Sequence, residues 1–119
     1  MTLRIAGPAR HDIAKILDWS AGTFGAGARR RYELLLGRAA LAIAATDPIS
    51  SKDAPELGIG IRLYHLRGSR REGDRRVPVG RPRHFLVYRR ESPNLVVLLR
   101  VLHDTTDLPS RFIDSDRVD

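Results

Sequence analysis

Cysteine is absent from this chain of 119 residues, and only 6% of its residues are aromatic. Without cysteine, disulfide scaffolds, thiol nucleophiles and cysteine-based zinc sites are excluded. No apolar run approaches the roughly 18 residues that span a bilayer. The first residues lack the charged and then apolar pattern of a signal peptide. We therefore expect a cytoplasmic protein that does not contact the membrane.

Lysine is also scarce, because nineteen of the 21 basic residues are arginine and only Lys15 and Lys52 are lysine. A high genomic G+C content would produce the same bias. Fourteen acidic residues leave a net charge of +7, with the basic excess over residues 1–103 and an acidic excess over 104–119. Arginine binds carboxylate or phosphate through a planar fork. A basic body with an acidic tail indicates an anionic partner, either nucleic acid or an acidic protein segment.

The N-terminal half of the sequence predicts a short strand followed by two helices. Thr2 to Ala6 alternates and is typical of a strand, and Gly7 and Pro8 end it. Helical spacing then predicts one helix from Ala9 to Phe24 and a second from Ala28 to about Thr46. Their apolar stripes are Ile13, Ile16, Leu17, Ser20 and Phe24, then Ala28, Tyr32, Leu35, Ala39, Ala42 and Ile43. The glycines between them predict an αα-hairpin.

The C-terminal half predicts three strands, over Gly60–Arg67, Arg83–Arg90 and Leu95–His103, after a loop at 47–59. Ser92 to Asn94 predicts a hairpin turn. An arginine-rich insert spans Gly68–Pro82, and a short helix is expected over Asp107–Ile113. The predicted fold class is α+β, in the order β-α-α-β-β-β, with both helices on one face of a three-stranded antiparallel sheet. We expect one domain over residues 1–113 and a frayed acidic tail over 114–119.

The last strand is apolar at nearly every position, which predicts that both of its faces are buried. Strict alternation places Leu95, Val97, Leu99 and Val101 on one face and Val96, Leu98 and Leu102 on the other. Because two helices cover only one face of a sheet, something else must cover the second face. The candidates are the C-terminal segment, a second copy of the chain or a partner protein, and the few residues left after the sheet favour a partner.

Several segments in order resemble the RelE/ParE toxins of type II toxin–antitoxin systems. The resemblance covers roughly residues 3–112 and is closest to the ParE branch, where a strand ends in a similar Arg-Val-Leu-His-Asp stretch. The segments that match are His11–Trp19, Phe24–Gly25, Ala28–Tyr32, Leu34–Leu35, Ile43–Ala44, Arg62–Arg67, Pro82–Arg89 and Arg100–Leu108.

This resemblance implies a small cytoplasmic toxin that acts in plasmid stabilisation and needs no cofactor. ParE-type members inhibit DNA gyrase by binding, whereas RelE-type members are ribosome-dependent mRNA endonucleases. We expect the gyrase inhibitor, with the endonuclease as the alternative. The implied partner is a cognate antitoxin with a ribbon-helix-helix DNA-binding part and an acidic C-terminal segment that wraps the toxin. Direct binding of nucleic acid is expected to be weak and to fall steeply with salt.

A metal-free ribonuclease needs a base, an acid and cations for the developing phosphorane charge. If this chain were one, its catalytic candidates would be Arg62, Arg67, Arg83, His65, His84 and Tyr88, with His11 and His103 as further titratable groups. The sequence departs from the RelE pattern, since it has no lysine after Lys52 and offers Phe112 in place of a C-terminal tyrosine. For His65 and His84, the alternative interpretation is cross-strand packing. No metal-ligand spacing is present, and we expect no metal site.

For a binding toxin, the expected antitoxin surface combines aromatic and aliphatic anchors with arginines. Its candidates are Trp19, Tyr32, Arg62, Tyr64, Leu66, Arg67, Arg83, Leu86, Tyr88 and Arg100. Target contacts are expected along the C-terminal stretch, at Arg100, His103, Asp104, Leu108 and Phe112. A turn or cap after the last strand is the alternative interpretation of the His103–Asp104 pair.

Overall fold

A computed structural model of the chain describes residues 2–45, 48, 50–70, 82–106 and 108. It contains two helices and five strands, joined in part by two short 3₁₀ turns, Pro55–Leu57 and Leu66–Ser69. In chain order the elements are β1 (Thr2–Ile5), α1 (Gly7–Phe24), α2 (Ala26–Ala45), β2 (Lys52–Asp53), β3 (Ile61–His65), β4 (His84–Ser92) and β5 (Leu95–His103). The predicted α+β class is confirmed, and the predicted helices and strands occur in the predicted order with one additional strand, β2, before β3. Most of the arginine-rich insert, the predicted C-terminal helix except Leu108, and the tail lie outside the described residues.

The helical hairpin forms as predicted, with small differences in its bounds. Helix α1 begins at Gly7 because Pro8 in the first turn fixes a helical φ and its missing N–H has no helical partner there. The helix ends at Phe24 and is followed by Gly25, whose φ of +91° is accessible to glycine without a steric penalty. The Gly25 N–H still donates to the Ala21 carbonyl. Phe24, predicted in the buried stripe, is 66% exposed, because it lies in the last turn and packs edge-on against Trp19.

The sheet is larger than predicted, with five strands in the order β1-β5-β4-β3-β2. The three predicted strands pair antiparallel, but β1 joins the sheet parallel to β5, from Thr2 opposite Leu95 to Ile5 opposite Leu98. The helical hairpin supplies the long crossover that a parallel connection requires. Strand β2, inside the predicted loop, pairs with β3 through only two residues. That is too short to produce an alternating pattern in the sequence.

Both faces of the sheet are buried within this one chain. The first is covered by the helices, where side chains from α2 such as Leu35 and Ile43 pack on strand residues such as Tyr88 and Leu98. On the second face, Val87, Val97 and six more buried side chains form an apolar cluster, with Leu57 from a 3₁₀ turn and Leu108 after β5 packed against it. The preference for a partner protein on this face is therefore wrong, because the chain itself buries the cluster. Leu57 belongs to the segment that the sequence predicts as a loop, and Leu108 belongs to the C-terminal segment, which was one of the predicted candidates.

Strand β5 departs from strict alternation at a β-bulge. Val87 pairs with Arg100 and Tyr88 with Leu98, so that Leu99 is the extra residue. A bulge advances one strand by one residue and reverses the facing of everything after it. Val101 therefore lies on the helix-covered face and Leu102 on the opposite one, the reverse of the prediction for these two positions.

Candidate functional site

Polar side chains converge at one end of the sheet, where β3 and β5 end and β4 begins. His84 and His103 are directly paired across β4 and β5, with ring centroids 5.3 Å apart and nearly perpendicular. His65 pairs instead with Phe85, and its ring contacts the Phe85 ring edge-on at 4.9 Å. Because neighbouring residues of a strand face opposite sides, His65 and His84 lie on opposite faces of the sheet. Their strands are adjacent, but each ring packs against a different cross-strand neighbour.

Asp104 connects the ends of three strands immediately after β5. Its backbone N–H donates to the Arg83 carbonyl at 2.7 Å, and its carboxylate lies 3.0 Å from His65 Nε2 and 3.3 Å from Arg83 Nε. Burial alone would raise the pKa of Asp104. The hydrogen bond from His65 and the charge of Arg83 outweigh that effect and hold the pKa below its usual value. Asp104 is therefore an ionised group that fixes the geometry of the sheet end.

His65 uses both of its ring nitrogens inside the protein. Nδ1 accepts a hydrogen bond from the Arg67 N–H at 3.1 Å, which places the proton on Nε2, where it is donated to Asp104. The ring also caps the 3₁₀ turn that begins at Leu66. His65 thus orients the segment that contains Arg67, and neither nitrogen is available to a substrate while these bonds are made.

Tyr32 links helix α2 to the start of β4. Its hydroxyl lies 2.5 Å from His84 Nδ1 and accepts the Arg83 N–H at 3.3 Å. Burial raises the pKa of Tyr32 to about 12, so the hydroxyl keeps its proton and donates it to His84. Burial, reinforced by the nearby His103, lowers the pKa of His84 to about 4. At neutral pH this histidine is an uncharged acceptor that holds the helix to the sheet.

An open cleft of about 350 Å³ lies beside this cluster. We call it the arginine cleft, and its lining residues are His65, Arg67, Arg70, Pro82, Arg83 and Asp104. Among the described residues, no group of three or more histidine, cysteine or carboxylate side chains is arranged to hold a metal ion. The cationic groups of the cleft, together with hydrogen-bond donors, suit an anion.

The predicted antitoxin-binding residues separate into buried and exposed groups. Four of them lie in the core between helices and sheet and are at most 2% exposed: Tyr64, Leu66, Leu86 and Tyr88. Their side chains stabilise the fold in the free chain. By contrast, Trp19 is 61% exposed and Arg67 and Arg83 line the arginine cleft. Tyr32 is engaged with His84, and Arg62 pairs with Asp53 across β3 and β2.

The predicted target-binding residues do not form one surface in the described part of the chain. Arg100 is bound by Asp12 of α1, whereas Leu108 packs on the second apolar face. His103 and Asp104 belong to the sheet-end cluster. Phe112 lies outside the described residues. The sequence analysis assigned no role to Asp12, which only the tertiary fold places beside Arg100, and it included Arg70 only as part of the arginine-rich insert.

The fold and the sheet-end cluster define a small α+β domain in which a helical hairpin packs on a mixed sheet beside an arginine-lined cleft. Residues 3–108 match the model of the family described as "ParE toxin of type II toxin-antitoxin system, parDE". The chain belongs to this family, which confirms the resemblance and makes it a type II toxin with an antitoxin partner. No curated protein matches the chain. No helix in the described part of the chain has the length and apolarity to span a membrane.

Proposed function

We propose that this toxin inhibits DNA gyrase by binding it, without catalysis, and that a cognate antitoxin neutralises it. The observation behind the proposal is that the groups a ribonuclease would need as acid and base are engaged within the protein. We expect the antitoxin to have a ribbon-helix-helix DNA-binding part and an acidic C-terminal segment. We further propose that toxin, antitoxin and target meet in the cytoplasm.

Acid–base catalysis at neutral pH requires groups whose pKa lies near 7 and that reach the substrate. His84 is buried beside Tyr32 and its pKa is lowered to about 4, which makes it a poor base at neutral pH. His65 donates to Asp104 and accepts from the Arg67 N–H. Tyr88 is fully buried in the core. These arrangements favour a binding toxin over the RelE-like endonuclease.

An exposed apolar surface and the net charge of the toxin suit the proposed antitoxin. Trp19 projects from α1 with its edge-on neighbour Phe24, which offers an apolar anchor. Aromatic side chains of this kind often dominate the binding energy of an interface. The net charge of +7 attracts the acidic segment of the antitoxin over a distance.

A DNA supercoiling assay with purified toxin and purified gyrase tests the proposal. We expect loss of supercoiling with the toxin alone, and recovery when the antitoxin is added. A translation-coupled mRNA cleavage assay runs in parallel with the same protein. Cleaved transcript together with normal supercoiling would replace the gyrase proposal by the endonuclease alternative.

The antitoxin surface is tested by Trp19→Ala, because an exposed side chain contributes little to folding. We expect an unfolding free energy within about 0.5 kcal/mol of the parent, but roughly tenfold weaker binding of the antitoxin in calorimetry, as expected for an aromatic anchor. Leu41→Ala is the matched control, since Leu41 is a similarly exposed apolar residue on α2 that we do not assign to this surface. Equal losses of antitoxin affinity in the two variants would show that Trp19 is not part of the interface.

A further inference from the structure

We propose that the arginine cleft binds phosphate groups of a nucleic-acid strand directly. This inference is independent of whether the toxin acts on gyrase, because it concerns the chemistry of the cleft itself. The cleft volume of about 350 Å³ is near the lower end of the range for small-ligand sites. It therefore holds a phosphate with its adjoining sugar and not a large folded surface.

The charge of the cleft suits an anion. Of the described residues, three arginines line it against one carboxylate, that of Asp104, which already interacts with His65 and Arg83. The Arg67 and Arg70 side chains are exposed, and that of Arg83 is 45% exposed although its Nε lies near Asp104. A guanidinium can donate two parallel hydrogen bonds to a phosphate, so arginines grouped around one cleft form a suitable phosphate site.

The segment that contains Arg67 and Arg70 is held in place by the surrounding fold. The Tyr64 hydroxyl lies 2.7 Å from Ser69 Oγ, and Arg38 of α2 donates to the Ser69 carbonyl at 3.2 Å. A Cβ at Gly68 would come within 2.8 Å of both Ser50 and Tyr64. This close packing fixes the turn, so that binding an anion requires little ordering of the backbone.

Nucleic acid fits these observations better than an acidic peptide does. The sequence between two lining residues, Arg70 and Pro82, adds four arginines against two acidic residues. Positive charge therefore continues in the sequence between these two lining residues. A nucleic-acid strand has a charge on every nucleotide and gains from each successive cation. Because the described residues that line the cleft include no Trp, Tyr or Phe, we expect binding that is largely independent of base sequence.

Fluorescence anisotropy with short labelled DNA and RNA strands of one sequence tests the proposal on the full-length toxin. The test variant is Arg67→Ala with Arg70→Ala. Its control is Lys15→Ala with Arg30→Ala, which removes the same charge from exposed helix positions outside the cleft. We expect the cleft variant to lose about tenfold or more in affinity and about one to two units of the salt slope. The control should lose less than threefold. Circular dichroism checks that both variants fold.

Three outcomes overturn the proposal. The first is absence of binding by the parent toxin at low salt, and the second is an equal loss of affinity in the two double variants. The third is displacement of the strand by polyglutamate as effectively as by unlabelled nucleic acid, which would make the cleft a site for acidic protein segments. Supercoiling activity is measured separately on the same variants, so failure here leaves the gyrase proposal to its own test.

Discussion

The contact between Asp12 and Arg100 joins residues 88 apart in the sequence and is suited to a quantitative test. The Asp12 carboxylate accepts hydrogen bonds from Arg100 Nε at 2.6 Å and Nη2 at 3.0 Å, and from the Val101 N–H at 3.0 Å. The side chains are only 11% and 23% exposed, and the hydrogen bond raises the pKa of Arg100 further. Asp12 thus fastens α1 to the bulged part of β5.

Substituting Asp12→Ala removes the carboxylate that accepts from a largely buried guanidinium and from the Val101 N–H. Removing one partner of a buried ion pair costs about 3–5 kcal/mol. Because Arg100 keeps some access to water, we expect the lower end, a loss of about 3 kcal/mol in the free energy of unfolding. Domains of this size are stable by only about 5–15 kcal/mol, so the loss is measurable by urea denaturation at neutral pH.

The exposed pair of Asp18 and Arg29, separated by 3.4 Å, provides the matched control. Removing it with Asp18→Ala is expected to cost less than about 1 kcal/mol, because water screens exposed ion pairs. Adding Arg100→Met to Asp12→Ala should recover part of the larger loss, since the buried charge that has lost its Asp12 partner is then removed. Equal losses in Asp12→Ala and Asp18→Ala would refute the argument that burial and geometry make the Asp12 contact important.

Three further predictions concern stability. Tyr32→Phe removes the partner of His84 and Arg83 and is expected to cost about 1–3 kcal/mol in urea denaturation; an unchanged midpoint would contradict this. Since the folded pKa of His84 is about 4, below its ordinary 6.5, the unfolded chain takes up the proton first. The contribution of uncharged His84 to the free energy of unfolding is therefore fully present above pH 6.5. It falls by about 3 kcal/mol as the pH is lowered towards 4. His84→Asn should show a smaller fall over the same range. Gly25→Ala should destabilise by about 1–2 kcal/mol because of its positive φ, whereas Gly37→Ala, inside α2 with open space around it, should stabilise by about 0.5–1 kcal/mol; equal shifts in thermal melts would contradict the backbone argument.

The sheet-end cluster and the arginine cleft separate structural from binding roles among similar side chains. His65, His84 and Tyr32 are engaged in hydrogen bonds that hold helix, turn and strands together. Arg67 and Arg83 border open space beside them. The hydrogen-bonded groups thus maintain the geometry in which these two arginines border the cleft.

Local sequence patterns determined the elements themselves. Apolar residues at helical spacing, together with the glycines between them, predicted both helices and their hairpin. Alternating residues around Ser92 to Asn94 predicted the hairpin of β4 and β5, which forms with β4 extending to Ser92 and the turn at Pro93 and Asn94. The ordered segments also identified the toxin family, which the match over residues 3–108 confirms. These features depend on neighbours within a few residues, and such neighbours are visible in the sequence.

Tertiary structure decided how the elements combine. The parallel pairing of β1 with β5, the bulge at Leu99 and the covering of the second sheet face have no local signal. The same is true of the Asp12–Arg100 contact, which joins residues 88 apart, and of the His65–Asp104 contact, which joins residues 39 apart. Such contacts form because packing of the whole chain brings distant segments together, and a pattern that repeats over a few residues does not specify which distant segment it will meet.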